Sequence, residues 1–111
     1  YVLFFFFFFS ICPDAFNDPK EIAHRAQWLA NVQSKGIVKY LGGTLPPIPT
    51  MAGTLFADGF AKEGAFAEAN HFLTGFLIIE ANDLDSAKQI AATNPILIAG
   101  GSVEVREMIP R

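Results

Sequence analysis

The sequence predicts an α+β fold, a β-α-β-β-α-β chain with a small hairpin added between its second and third main strands. Three stretches carry that expectation. Residues 72–106, FLTGFLIIEANDLDSAKQIAATNPILIAGGSVEVR, read as strand, helix, strand with little left over. Residues 1–9 are an unbroken apolar run that includes six successive phenylalanines; lacking alternation, such a strand must be covered on both faces and belongs in the middle of a sheet. Residues 18–36 open with Asp-Pro and close on glycine, the signals that bound a helix.

Taken in order, residues 13–17 read as a loop after the first strand. Asp18 then caps a helix, Pro19 takes its first position, and Glu21 can reach back to the cap. Ile22, Ala26, Leu29 and Ala30 make the expected inward stripe, and Gly36 supplies a left-handed exit after about Lys35. The second strand is expected over residues 37–41, closed by Gly42-Gly43. Pro46-Pro47-Ile48-Pro49 is an extended connection that can join no ladder. Between residues 51 and 66, two short apolar runs flank Asp58-Gly59, a pair suited to a two-residue hairpin turn. Residues 68–73 read either as one helical turn or as the lead-in to the next strand.

That strand is expected over residues 76–81, opened by Gly75 and rich in apolar and β-branched residues. Asn82-Asp83 stops it and supplies a cap. Leu84, Ala87, Ile90 and Ala91 share one helical face, with Asp83 and Asp85 in the first turn, where the dipole favours anions. Asn94-Pro95 ends the helix, because proline lacks the amide and turns its predecessor away from helical angles. After Gly100-Gly101, residues 102–108 alternate polar and apolar as a strand does.

Right-handed crossovers place both helices on one face of a four-stranded antiparallel sheet, a ferredoxin-like layer. The third main strand is apolar on both sides: Phe76 and Ile78 point one way, Leu77 and Ile79 the other. Two helices cover only one side, and soluble monomers rarely keep a bare apolar face of that size. The sequence therefore predicts a homodimer packed through its sheet faces, a dimeric α+β barrel.

A length of 111 residues suits a single domain spanning 1–111, and 51% hydrophobic content argues against disorder. The net charge of −3 gives no basic face for nucleic acid. The lone cysteine, Cys12, has no internal partner, which fits a reducing, cytoplasmic setting. The apolar block of residues 1–12 is shorter than the ~20 residues a helix needs to cross a bilayer. A secretory signal would add a basic segment before it and a small-residue cleavage site after it, so a buried strand is expected and no membrane partner.

The stretch from about residue 64 to 108 resembles the YCII-related family in its DGPF-type branch. Glu63-Gly64-Ala65-Phe66-Ala67-Glu68 corresponds to the signature turn, Thr74-Gly75-Phe76 to the strand opening, and Asp83-Leu84-Asp85 to the helix start. Gly100-Gly101-Ser102-Val103-Glu104-Val105-Arg106 corresponds to the closing strand. The resemblance implies a dimeric ferredoxin-like fold and, by analogy with some relatives, a small lyase or dehydrochlorinase using a histidine near an acid. Two positions depart from the pattern. The usual signature aspartate is Glu63 and its proline Ala65. Counting back eleven residues from Gly36, where a helix histidine is expected, gives Arg25 with His24 beside it, and one step along a helix turns a side chain by about 100°.

His24 and His71 are the side chains whose ordinary pKa lies near neutrality, hence the candidate acid–base groups with Glu63. Arg25 and Trp28, three apart on the first helix, could frame a carboxylate-bearing aromatic or hydroxylated small molecule by charge and stacking. Arg106 with Glu80 and Glu104 could form an ion cluster on the sheet face. No metal is expected, since the histidines and acids lack a ligating spacing. No cofactor is expected either: Gly100-Gly101 precedes a strand, where a phosphate loop would open a helix. Two functions follow as expectations. One is a small-molecule lyase or hydrolase in which a histidine and Glu63 move protons in a pocket between sheet and hairpin. The other is a non-catalytic ligand-binding or accessory protein.

Overall fold

The computed structural model describes residues 3–64 and 71–110. Four antiparallel strands, β1 (Leu3–Ile11), β2 (Val38–Thr44), β5 (Phe72–Ala81) and β6 (Ser102–Met108), form one sheet in the order β2-β5-β1-β6. That is the ferredoxin-like order, with the phenylalanine strand and β5 at the centre. Helices α2 (Pro19–Ser34) and α3 (Leu84–Ala91) supply the crossovers. A separate hairpin of β3 (Gly53–Leu55) and β4 (Ala61–Glu63) lies between β2 and β5.

The caps explain where the helices begin. The Asp18 carboxylate accepts from the Lys20 amide at 2.9 Å, with Pro19 at the first position of α2. Asp83 accepts from the Ser86 amide at 2.7 Å at the start of α3. Gly36, at φ 72°, carries the chain out of α2. Each is a local device, and each stands where the sequence puts it.

The core lies between the helices and one face of the sheet. Phe5, Phe7, Leu77, Ile79 and Ala81 from the strands meet Trp28, Val32, Ala87 and Ala91 from the helices. The alternate residues of the central strands, Phe4, Phe6, Phe8, Phe76 and Ile78, lie on the opposite face, where no helix covers them. They remain partly exposed and shield one another: the Phe6 and Phe8 rings stack at 5.1 Å, and Phe76 lies 6.2 Å from Phe6 and 6.3 Å from Tyr40.

Several expectations are corrected. Residues 13–17 are a short helix, α1 (Pro13–Asn17), not a loop, with the Phe16 amide bonded to the Cys12 carbonyl at 3.0 Å. Trp28 and Val32 are the buried residues of α2, with Arg25 and Leu29 partly buried beside them; Ile22, Ala26 and Ala30 of the expected stripe are exposed, although Ile22 and Ala26 line the cavity under the helix. Strand β2 extends through Gly42-Gly43 to Thr44, with register shifts that let it continue. The hairpin loop runs over residues 56–60 rather than turning in two. The Phe56 amide bonds the Phe60 carbonyl at 2.7 Å, and Asp58 accepts from the Phe60 amide. Strand β5 begins at Phe72, four residues early, and Asn94 starts a 3₁₀ turn (Pro95–Leu97) after α3 has ended at Ala91. The expectation for residues 68–70 lies outside the described residues.

Candidate functional site

Between α2 and the β2–β5 edge of the sheet lies a cavity of about 400 Å³. Thr44 pairs with Gly75 and Gly43 with Phe76 across the strands, and all four residues lie on its wall. Gly42, at φ 70°, allows β2 to press against β5: a Cβ there would overlap the Phe76 carbonyl oxygen. The walls are apolar, from Phe9, Phe16, Trp28, Leu29, Leu41 and Ile96. Thr44, Thr74 and Asn94 add small polar groups, although the Thr74 hydroxyl donates to the Phe9 carbonyl and Asn94 Oδ1 accepts from the Ile96 amide.

Arg25 is the charged side chain of this wall. Its guanidinium lies over the Phe16 ring at 4.6 Å, and Nη2 donates to the Phe16 carbonyl at 2.8 Å. Nη1 is out of solvent and has no hydrogen-bond partner among the described residues. Burial pulls the Arg25 pKa below its usual value, while Glu21, one turn earlier on α2, opposes that. The group stays cationic regardless, since guanidinium is not deprotonated in proteins. Trp28 has two roles: it is 7% exposed, meets Phe9 edge-on at 5.9 Å, and donates from Nε1 to Thr93 Oγ1 at 2.8 Å.

The other candidates are dispersed. His24 points outward from α2, its side chain 56% exposed and Nδ1 3.9 Å from Glu21 Oε1. His71 is exposed at the foot of β5, in an open depression of about 430 Å³ that it shares with Phe8, Ser10, Glu104 and Arg106. Glu63 is exposed on β4, opposite Gly53. The fold thus brings Arg25 to Trp28 and His71 to Arg106, and leaves His24 and Glu63 outside both concavities.

The expected cluster of Glu80, Glu104 and Arg106 divides in two. Strand β1 separates β5 from β6, so Glu80 pairs with Lys39 at 2.7 Å while Arg106 lies 3.9 Å from Glu104. Among the described residues no group of three histidines, cysteines or acids could hold a metal, and no helix is long and apolar enough to cross a membrane.

Phe16, Thr44, Thr93 and Asn94 are site residues that sequence reasoning missed. Only Gly42-Gly43 and Gly75 gave a signal, three glycines on neighbouring strands, and nothing local in the sequence says that they lie side by side.

The sequence model of the YCII-related domain matches residues 4–110, from the start of the phenylalanine strand to beyond β6. The chain belongs to the YCII-related family. No curated protein matches it. In this YCII-related chain the matched segment contains the four-stranded sheet but for Leu3, both crossover helices, and the cavity between α2 and the sheet. Gly64, after Glu63 at the end of β4, has φ 96°, and residues 65–68, the rest of the stretch expected to form a signature turn, lie outside the described residues.

Proposed function

We propose that this YCII-related chain is a small-ligand-binding protein that holds an apolar molecule between α2 and the sheet. The observation that carries the reading is the composition of the cavity. Its size falls within the ~300–1,000 Å³ range of ligand pockets, its walls are largely apolar, and Arg25 is the ionisable group on them among the described residues. A cavity wall without a histidine or carboxylate among the described residues is suited to binding, while proton transfer near neutrality calls for such groups. Within the family, the closing Gly100-Gly101-Ser102-Val103-Glu104-Val105-Arg106 motif supports assignment to the DGPF-type branch.

The test uses Trp28, the chain's single tryptophan, as reporter in a titration with neutral benzyl alcohol and cyclohexanol. A saturable fluorescence change is expected. Ala26→Phe, which places a ring on an exposed helix position lining the cavity, should weaken binding about tenfold or more without loss of fold. If neither compound gives a saturable response, the cavity is not a binding site for apolar molecules.

The second reading is a lyase or hydrolase using a histidine and an acid, with His71 beside Glu104 in the open depression as its support, rather than His24 or Glu63. Turnover of a substrate lost in His71→Ala, with folding intact, would establish it over the first.

A second copy of the chain is the partner that the open sheet face fits. Phe4, Phe6, Phe8, Phe76 and Ile78 form its apolar centre, and Lys39–Glu80, from β2 and the end of β5, and Glu104–Arg106 on β6 place both signs of charge around it. A two-fold axis can therefore set opposite charges against each other.

A further inference from the structure

We propose that the β3–β4 hairpin is an arm that docks on a second copy of this chain, with Leu55 and Phe60 seated in the depression beside Phe8 and Leu73 on that copy's open sheet face. This rests on the face-to-face dimer proposed above and says which further part of the chain completes it.

The hairpin has apolar surface to cover. Its strands are three residues each and form a sheet of their own, sharing no ladder with the main one. An isolated two-stranded hairpin is marginal in water unless it packs against something. Yet Leu55 is 83% exposed and Phe60 63%, with the Phe56 ring 5.9 Å from that of Phe60. The chain exposes 7408 Å², whereas a folded monomer of 12.1 kDa exposes about 6,000 Å². That excess is larger than the ~800 Å² each partner gives up in a complex of standard size. The open sheet face supplies roughly 450 Å² in plan, and the hairpin is the apolar surface that adds to it.

Topology selects where the arm goes. Strand β2 leads into the hairpin from the end of the sheet where Thr44 pairs with Gly75, and the chain re-enters β5 at Phe72, at the same end. The depression of about 430 Å³ opens at that end too, but towards the β6 edge, where Phe8, Leu73, His71, Glu104 and Arg106 line it. A two-fold axis that lies between the faces and runs along the strands exchanges the edges and keeps the ends. It therefore brings each hairpin towards the depression of the other copy. Asp58, whose carboxylate accepts the Phe60 amide at 2.9 Å, arrives there with the Phe60 ring and meets Arg106, whose contact with Glu104 is a loose 3.9 Å.

The experiment reads mass by light scattering for the native chain and for Leu55→Ser/Phe60→Ser. The native chain should have the mass of two chains at micromolar concentration. The variant should keep its circular dichroism spectrum, since both side chains are exposed, and should need at least about tenfold more protein to reach that mass. A second measurement uses a Cys12→Ser background: a chain carrying Phe60→Cys, mixed with a chain carrying Leu73→Cys and oxidised, should give a disulfide joining position 60 of one copy to position 73 of the other in peptide mass spectrometry. It gives the answer if Leu55→Ser/Phe60→Ser does not fold. A native mass of one chain would overturn the dimer and the arm with it. A two-chain native mass that Leu55→Ser/Phe60→Ser does not weaken, or a mixture that yields no such disulfide, would overturn the arm alone and leave the sheet-face dimer standing.

Discussion

Asp83 shows how much a single exposed residue decides here. Its carboxylate accepts the Ser86 amide, and these hydrogen bonds from Ser86 hold its pKa below the usual carboxylate range. A folded-state pKa below the unfolded value of about 3.9 means that the stabilisation is present above that pH and lost as the pH falls through the folded value. Asp83→Ala should lower the melting temperature at pH 7, Asp83→Asn should largely preserve it, and the gap between native chain and Asp83→Ala should close as the pH drops below about 4. Thermal melts across that range check it. Thr93 makes a long-range contribution of the same kind. Thr93→Val removes the acceptor of the Trp28 indole, leaving a part-buried donor unpaired, and should cost about 1–3 kcal/mol in urea unfolding. The cap at Asp83 was legible because its partner lies three residues away. The Trp28–Thr93 bond spans 65 residues, so no local pattern could reveal it, nor the burial of Trp28 and Val32 where Ile22 and Ala26 stay exposed.

At the scale of elements, strands and long helices follow their patterns, while the short connections between them depend on tertiary contacts. Helix α1 is five residues long and could not persist alone. Arg25 stacking on Phe16, and Phe16 meeting Phe72 at 5.6 Å, fasten it to α2 and β5. The cavity was illegible for a related reason. Its strand wall holds Gly42-Gly43 beside Gly75, and the register that brings them together includes shifts absent from any ideal ladder. Two glycines separate conformational from contact effects. Gly36 has φ 72° with open space around it, so Gly36→Ala should cost only the left-handed strain of about 1–2 kcal/mol. Gly42 has the same φ, but its added methyl would collide with the Phe76 backbone, so Gly42→Ala should cost more than about 3 kcal/mol. Chemical denaturation of the two variants side by side measures the difference, and equal losses would show that β2 can move away from β5.

For the molecule as a whole, the two faces of the sheet pose different problems, and the six-phenylalanine strand contributes to both. Phe5 and Phe7 are fully buried under the helices, while Phe4, Phe6 and Phe8 lie on the face that no helix covers. This division was legible because a strand alternates by geometry, so a run without alternation must be apolar on both sides. Four strands about 4.8 Å apart and about seven residues long give a face of roughly 450 Å² in plan, before side-chain relief is added. That is already within the ~300–600 Å² of the largest patches that monomers keep. The prediction uses neighbouring residues of one strand as mutual controls. Phe5→Ala opens the helix-side core and should cost about 3–5 kcal/mol in unfolding, with the mass in solution unchanged wherever the chain stays folded. Phe6→Glu places a charge at the centre of the open face, where in a two-fold dimer it would lie close to its own symmetry mate without water to screen it. The variant should fold and light scattering should give the mass of one chain, against two for the native protein. A native mass of one chain at micromolar concentration would defeat the dimer. A Phe6→Glu variant still of two-chain mass would place the interface elsewhere, with the exposed Leu55 and Phe60 on and beside the hairpin as the next apolar surface to test.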